Sequence, residues 1–291
     1  MIHRQKKISH PNFIRNSILA LLFVALILVP YFINSTAQVV AENKSVAILY
    51  TNDEQANSEN MSQIAALREE RISQGKDVIL LGGGNTFNDG SRDLEKALNM
   101  AAAMNEAGYD AVVPGEKDFA FTQRDLNKIW LEAEFEIVLA NIDTEGVVLN
   151  SPSTYWEAEL ADDLKIIGLG LIQVGEEGYP LGDVVSYGGL NFFSPFKIAE
   201  EYSHLKERAD ILIGMTHLGH TQERQLANWV DEFDLILGGY SRTITRQPAL
   251  INDTLVAQTG EKTNYLGEII LEFNEYNELI AVRADLIDLR D

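Results

Sequence analysis

The stretch Ile211–Arg242 allows few folds. An apolar run beginning at Ile211 ends in Thr216-His217-Leu218-Gly219-His220, and a polar segment follows. A second apolar run, Asp234-Leu235-Ile236-Leu237, ends in Gly238-Gly239-Tyr240-Ser241-Arg242. Runs this short and this apolar read as buried strands, and the polar segment between them reads as a crossover helix. In open α/β sheets, chemistry sits on the loops at the carboxyl ends of the strands. The two polar turns are therefore adjacent candidate site loops.

The rest of the chain repeats the pattern. Val46–Tyr50 is a strand ending in Thr51-Asn52-Asp53-Glu54-Gln55. Met61, Ile64, Ala65, Leu67 and Ile72 recur at helical spacing, and Gly75 follows as a stop. Val78–Leu81 is a second strand, running into Gly82-Gly83-Gly84-Asn85-Thr86-Phe87. Ser91 is placed to cap a helix running to Ala107, which Gly108 terminates. Ala111–Val113 ends in Pro114-Gly115-Glu116-Lys117-Asp118, Thr122 caps a further helix, and Ile137–Ala140 ends at Asn141. Alternation then breaks. Tyr155–Leu160, Leu164–Ile172 and Val184–Tyr187 read as short antiparallel strands, a helix is expected from Pro195 to Arg208, and Leu255–Thr259 and Leu266–Phe273 read as terminal strands. With no internal repeat and no low-complexity linker, residues 42–291 are expected to form one domain.

Composition narrows the role. The 291 residues contain no cysteine, which excludes disulfides, thiolate metal sites and a cysteine nucleophile. Residues 1–40 carry four basic side chains (Arg4, Lys6, Lys7, Arg15) and no acidic ones, so the remainder holds 19 basic against 44 acidic residues, a net of −25. A body this acidic repels nucleic acid and anionic membranes. No nucleic-acid partner is expected. The basic N-terminal region is followed by an apolar run from Ile18 to Val29, Pro30, and small-residue sites at Ser35-Thr36-Ala37 and Val39-Val40-Ala41. This is the layout of a secretory signal peptide over residues 1–41, or of a signal anchor if uncleaved. The apolar run is short for a span of about 20 residues. Residues 42–291 are then extracytoplasmic, with membrane attachment only through the uncleaved segment.

Five loops with small and polar residues now follow five strands. Their order and content resemble the calcineurin-like metallophosphoesterases, specifically the 5′-nucleotidase branch. The matching blocks are Thr51-Asn52-Asp53-Glu54-Gln55-Ala56, Gly84-Asn85-Thr86-Phe87, Met104-Asn105-Glu106-Ala107-Gly108-Tyr109-Asp110-Ala111, Gly115-Glu116-Lys117-Asp118-Phe119-Ala120, His217-Leu218-Gly219 and Gly238-Gly239-Tyr240-Ser241-Arg242. The resemblance covers nearly all of residues 46–275. It implies a four-layer α/β/β/α sandwich with mixed sheets and a loop site at their carboxyl edge. It also implies two divalent metal ions that bridge a phosphate and activate water. The C-terminal nucleotide-binding domain usual in that branch is expected to be absent.

Carried over position by position, the resemblance retains two metal ligands, Asp53 and His217. Asn85 stands for the bridging Asp and Glu116 for an Asn ligand. Three ligand positions are lost to Gln55, Tyr240 and Arg242. The catalytic His is Lys117, and the Asp that would orient it is Ala120. Ammonium and guanidinium groups offer a metal no lone pair. The simplest expectation is that protein-borne cations replace the metals and pair with Asp53 and Glu116.

Several readings stay open at this level. Asp53 is a metal ligand, an ion-pair partner or a turn residue. His217 binds one residual metal or satisfies a buried loop. Gly82–Gly84 is reminiscent of a phosphate cradle but lacks a following Gly-Lys-Ser/Thr. Three functions follow: a catalytically degenerate binding or structural module with no resident cofactor; a phosphomonoester or nucleotide hydrolase using one or two divalent ions on a reduced site of Asp53, Asn85, Glu116 and His217; and an anion binder that holds a small phosphorylated ligand with Lys117 and Arg242.

Overall fold

Two six-stranded sheets, packed face to face, carry the chain's loops to one edge. A computed structural model describes residues 44–182 and 187–290. The signal segment 1–41 lies outside the described residues, as do residues 184–186 of the strand expected at Val184–Tyr187.

The first sheet is built from β1 (Lys44–Thr51), β2 (Asp77–Gly83), β3 (Ala111–Val113) and β4 (Glu136–Ile137), all parallel, with helices between them. These are α1 (Met61–Ser73), α2 (Leu94–Ala107) and α3 (Gln123–Glu132). After a small ribbon, β5 (Ile142–Asp143) with β8 (Asn191–Phe192), the chain enters the second sheet. That sheet holds β6 (Tyr155–Glu159), β7 (Lys165–Ile172), β9 (Ile211–His217), β10 (Leu235–Leu237), β11 (Ala249–Ile251) and β12 (Thr254–Ala257). Helices α4 (Pro195–Tyr202) and α5 (His220–Trp229) accompany it. The chain returns to the first sheet as β13 (Tyr265–Phe273) and β14 (Leu279–Asp288), giving the order β14-β13-β1-β2-β3-β4. The second runs β11-β12-β10-β9-β7-β6.

Alternating side chains on each strand feed two cores. Ile48, Ile79, Val113 and Ile213 fill the space between the sheets. Leu49, Leu80 and Val112 point the other way, against Ile64, Met100 and Met104 of α1 and α2. Leu212, Ile236 and Val256 meet Leu226 and Ala199 of α5 and α4. Three apolar cores between four layers make the α/β/β/α sandwich. The described residues lie within one compact unit.

Local details differ from the sequence reading. Ser91 does not cap α2; its hydroxyl turns back to Asp89 at 2.6 Å, and Asp93 accepts the Lys96 amide instead. The helix expected from Pro195 to Arg208 is α-helical to Tyr202 and tightens to 3₁₀ over Ser203–Arg208. The strand expected through Ala140 stops at Ile137, because Val138 is diverted to a bridge with Ser153. Strand β14 had no expectation, since its charged and apolar residues carry no buried run.

Candidate active site

Loops of the first and second sheets meet over the carboxyl ends of β1, β2, β3, β9 and β10. The first two are laced by backbone bonds: the amides of Asp53, Gln55 and Ala56 donate to the carbonyls of Gly84, Asn85 and Thr86 at 2.8–2.9 Å. The buried Asp118 carboxylate accepts the amides of Thr86, Phe87 and Gly115 at 3.1, 2.8 and 2.9 Å, which ties the second loop to the third. Burial outweighs those bonds and raises its carboxyl to about 6. Asp53, Gln55, Asn85, Tyr240 and Arg242 all adopt positive φ, between 51° and 74°. Such conformations cost roughly 1–3 kcal/mol each and persist only where surrounding contacts over-determine them. Here the laced loops supply those contacts.

Glycines let these loops cross. Gly84 has φ +89°, and a Cβ there would stand 2.2 Å from His217 Nδ1. A Cβ on Gly239 would meet the Gly83 carbonyl at 2.1 Å. The close approach expected of the glycine run is made to a histidine of the chain itself.

The expected site residues form one connected ring. His217 is fully buried, with Nδ1 2.9 Å from the Gly83 carbonyl and Nε2 2.7 Å from Glu116 Oε2. A carbonyl only accepts, so Nδ1 carries hydrogen; a proton must then also lie between Nε2 and the carboxylate. Burial disfavours the imidazolium, but the charge of Asp53 and the bond to Glu116 overcome it and lift the ring to about 9. Burial likewise pushes the Glu116 carboxyl up, and His217 more than reverses this, leaving it below the ordinary range.

Asn85 sits between the two carboxylates. Its Oδ1 accepts the Lys117 amide at 2.9 Å, so Nδ2 faces Asp53 Oδ1 at 3.2 Å and Glu116 Oε1 at 3.0 Å. Asp53, fully buried, also accepts from Asn52 Nδ2 at 3.0 Å and the Tyr240 amide at 2.9 Å. Arg242 Nε approaches Asp53 at 3.8 Å, and its guanidinium meets Glu261 at 3.3 Å. Gln55 links Glu261, at 2.9 Å, to Lys117 Nζ, at 3.2 Å. The Tyr240 ring stands edge-on to His217, 5.6 Å between centroids. Three carboxylates (Asp53, Glu116, Glu261) are thus matched by three cations (His217, Arg242, Lys117).

Of the two cations expected to pair with Asp53 and Glu116, Arg242 approaches Asp53, while Lys117 bonds Gln55 and Glu116 meets His217 instead. The cause is geometric: Lys117 turns its amide, not its ammonium, toward Asn85, which sends Nζ outward. Ala120 lines a cleft of about 260 Å³ with Asn88, Gly90, Arg92, Glu116, Lys117 and Gly182.

Two buried acids behind the ring escaped sequence reading. Glu223 of α5 accepts from Gln258 Nε2 at 2.9 and 2.7 Å and from the Gly239 amide at 3.2 Å, and burial against those bonds raises it to about 8. Glu54 accepts the Thr51 and Thr86 hydroxyls at 2.6 and 2.9 Å, and burial raises it to about 7. A glutamate in a polar helix or a polar turn carries no signal that it points inward.

The ring does not fit the two-metal centre implied by the resemblance. Zinc-type ligands bind at about 2.0–2.2 Å, so donors sharing an ion stand about 3 Å or more apart. His217 and Glu116 are closer than that and share a proton. The Asn85 nitrogen facing both carboxylates is a donor without a lone pair. Among the described residues no group of three or more His, Asp or Glu side chains is arranged to hold a metal ion.

Comparison with known proteins agrees on scaffold. No family model matches the chain. It is 28% identical over 289 residues to a 5′-nucleotidase of Vibrio cholerae, covering 83% of this chain and 51% of that protein. It is 25% identical over 283 residues to the trifunctional nucleotide phosphoesterase protein YfkN of Bacillus subtilis, covering 83% of this chain and 19% of that one. The crystal structure of a 5′-nucleotidase precursor from Thermus thermophilus superposes with a TM-score of 0.72 at 19% identity, covering 84% of this chain and 54% of the other. The chain spans about half the length, or less, of these curated relatives.

Proposed function

We propose that this chain, whose homologues are 5′-nucleotidases and calcineurin-like phosphoesterases matched over their metallophosphatase domain, is a catalytically degenerate member acting as an extracytoplasmic binding or structural module. The observation that carries this reading is the proton-bearing His217 held between Gly83 and Glu116. Both ring nitrogens are engaged within the chain, Nδ1 by the Gly83 carbonyl and Nε2 by Glu116, so a metal must displace a buried hydrogen bond to bind there. The Asn85 amide and the Arg242 guanidinium occupy the remaining space with positive or donor groups, which repel divalent cations. Export rests on the basic, apolar and small-residue order of residues 1–41.

Elemental analysis of purified chain, run beside hydrolysis of a nucleoside monophosphate and a generic phosphomonoester, tests it. The expected result is substoichiometric metal and no turnover with added Mn²⁺, Mg²⁺ or Zn²⁺. Asn85→Asp sharpens the contrast: a third carboxylate against Asp53 and Glu116 is expected to lower Tm and make it rise with Mn²⁺, while the native chain's Tm ignores Mn²⁺. Bound metal with turnover lost in His217→Ala supports the reduced-metal hydrolase instead. The cleft presenting both Arg92 and Lys117 favours a second reading, in which a small phosphorylated anion binds there. Thermal stabilisation by phosphate but not by divalent cations is its mark.

A further inference from the structure

Among the described residues the first sheet ends at β14, whose ladder partner is β13. The Leu289 amide donates to the Asn264 carbonyl at 2.9 Å, so that pair is hydrogen-bonded. The register is unbroken from Tyr265↔Asp288 to Glu272↔Ala281. Alternation then directs the backbone groups of Ile287, Asp285, Arg283 and Ala281 toward β13 and those of Leu286, Ala284 and Val282 outward. Leu286, Ala284 and Val282 are apolar, Val282 is 40% exposed, and Asp288 closes the outward set at the end of the strand. An edge strand this long is normally blunted by charge or proline at its free positions. Leu286, Ala284 and Val282 carry neither, and the charge at Asp288 sits at the strand's last position.

We propose that β14 pairs antiparallel with β14 of a second copy about a two-fold axis at Ala284. That axis sets Ala284 opposite its own copy and Val282 opposite Leu286 of the second copy, forming about six backbone hydrogen bonds. It also sets Arg283 opposite Asp285 of the second copy, and Asp285 opposite Arg283 of that copy. Both pairs fall at non-hydrogen-bonded positions, where side chains come closest. Moving the axis one residue either way puts Arg283 against Arg283 or Asp285 against Asp285, which opposes that register. Backbone parity allows any residue-centred axis, and charge complementarity selects Ala284 among them. Arg283, 68% exposed at its side chain, already leans on Glu272 of β13, which fixes its position for the pair. The result is a twelve-stranded sheet running through the dimer.

Sedimentation velocity of the purified chain tests this. The native chain is expected to form a dimer with concentration-dependent dissociation. Ala284→Pro removes an outward amide that β13 does not use, so the monomer keeps its fold by circular dichroism and the dimer is lost. Asp285→Arg is expected to raise the dimer Kd at least tenfold (about 1.4 kcal/mol), and adding Arg283→Asp restores it by exchanging the charges. A native chain monomeric at ~100 μM, a dimer indifferent to Ala284→Pro, or a charge swap that fails to restore it would each overturn the proposal.

Discussion

His217 defines the site at the scale of single residues. Its position matches a metal ligand of the resembled family, yet its neighbours make it a buried cation. Truncating one partner of a buried, hydrogen-bonded ion pair leaves the other charge uncompensated and costs about 3–5 kcal/mol. His217→Ala is accordingly expected to lower the unfolding free energy from urea titration by that much, by stranding Glu116 and the Gly83 carbonyl. The double variant His217→Ala, Glu116→Ala should recover part of the loss, because the stranded charge is gone. A double variant losing the sum of the two single losses would mean the pair is not coupled. The identities of these residues were legible in the sequence. Their pairing was not, because Lys117 is the nearer cation along the chain and only the packing of the second sheet on the first brings His217, at the end of β9, to Glu116, after β3.

At the scale of elements, loops rather than strands hold the site. Strands β1, β2, β9 and β10 followed from their apolar runs with small boundary errors. The lacing of the β1 and β2 loops, and Asp118 beneath them, came from backbone bonds that side-chain pattern does not encode. Gly84 is the tightest point of this assembly. Gly84→Ala forces a side chain to φ +89° and drives Cβ into the imidazole. The expected cost is at least about 3 kcal/mol, strain and overpacking together, read as a drop in Tm. Gly146→Ala, at an exposed turn with φ +77° and open space around it, is the control and should cost less. A Gly84→Ala protein as stable as the control would refute the close crossing.

For the whole molecule, buried acids set the pH response. Glu223 at about 8, Glu54 at about 7 and Asp118 at about 6 lie above their ordinary values because burial penalises their charge. Folding therefore takes up protons at these groups. Their stabilisation is complete below the ordinary carboxyl range near 4 and is lost as pH rises through the folded values. His217, raised to about 9, acts in the same direction between about 6.5 and 9. The net charge of −25 beyond residue 40 adds self-repulsion as pH rises. Urea midpoints are expected to be highest near pH 5 and to fall steadily to pH 9. Glu223→Gln should flatten the fall near pH 8, and a midpoint rising between pH 5 and 8 would contradict the scheme.

By itself the sequence determined the α/β class, the four layers, the loops that form the site and the residues that depart from the metal-binding pattern. The class and the loops follow from local periodicity; the four layers and the departures follow from the resemblance of the motif blocks to the metallophosphoesterase pattern. Tertiary structure alone decided which charges meet, that Glu54 and Glu223 point inward, and that among the described residues β14 ends the first sheet. These depend on the distance between atoms more than a hundred residues apart or on which side of a strand faces water. No local pattern carries that information, because the chain's fold, not its order, sets those distances.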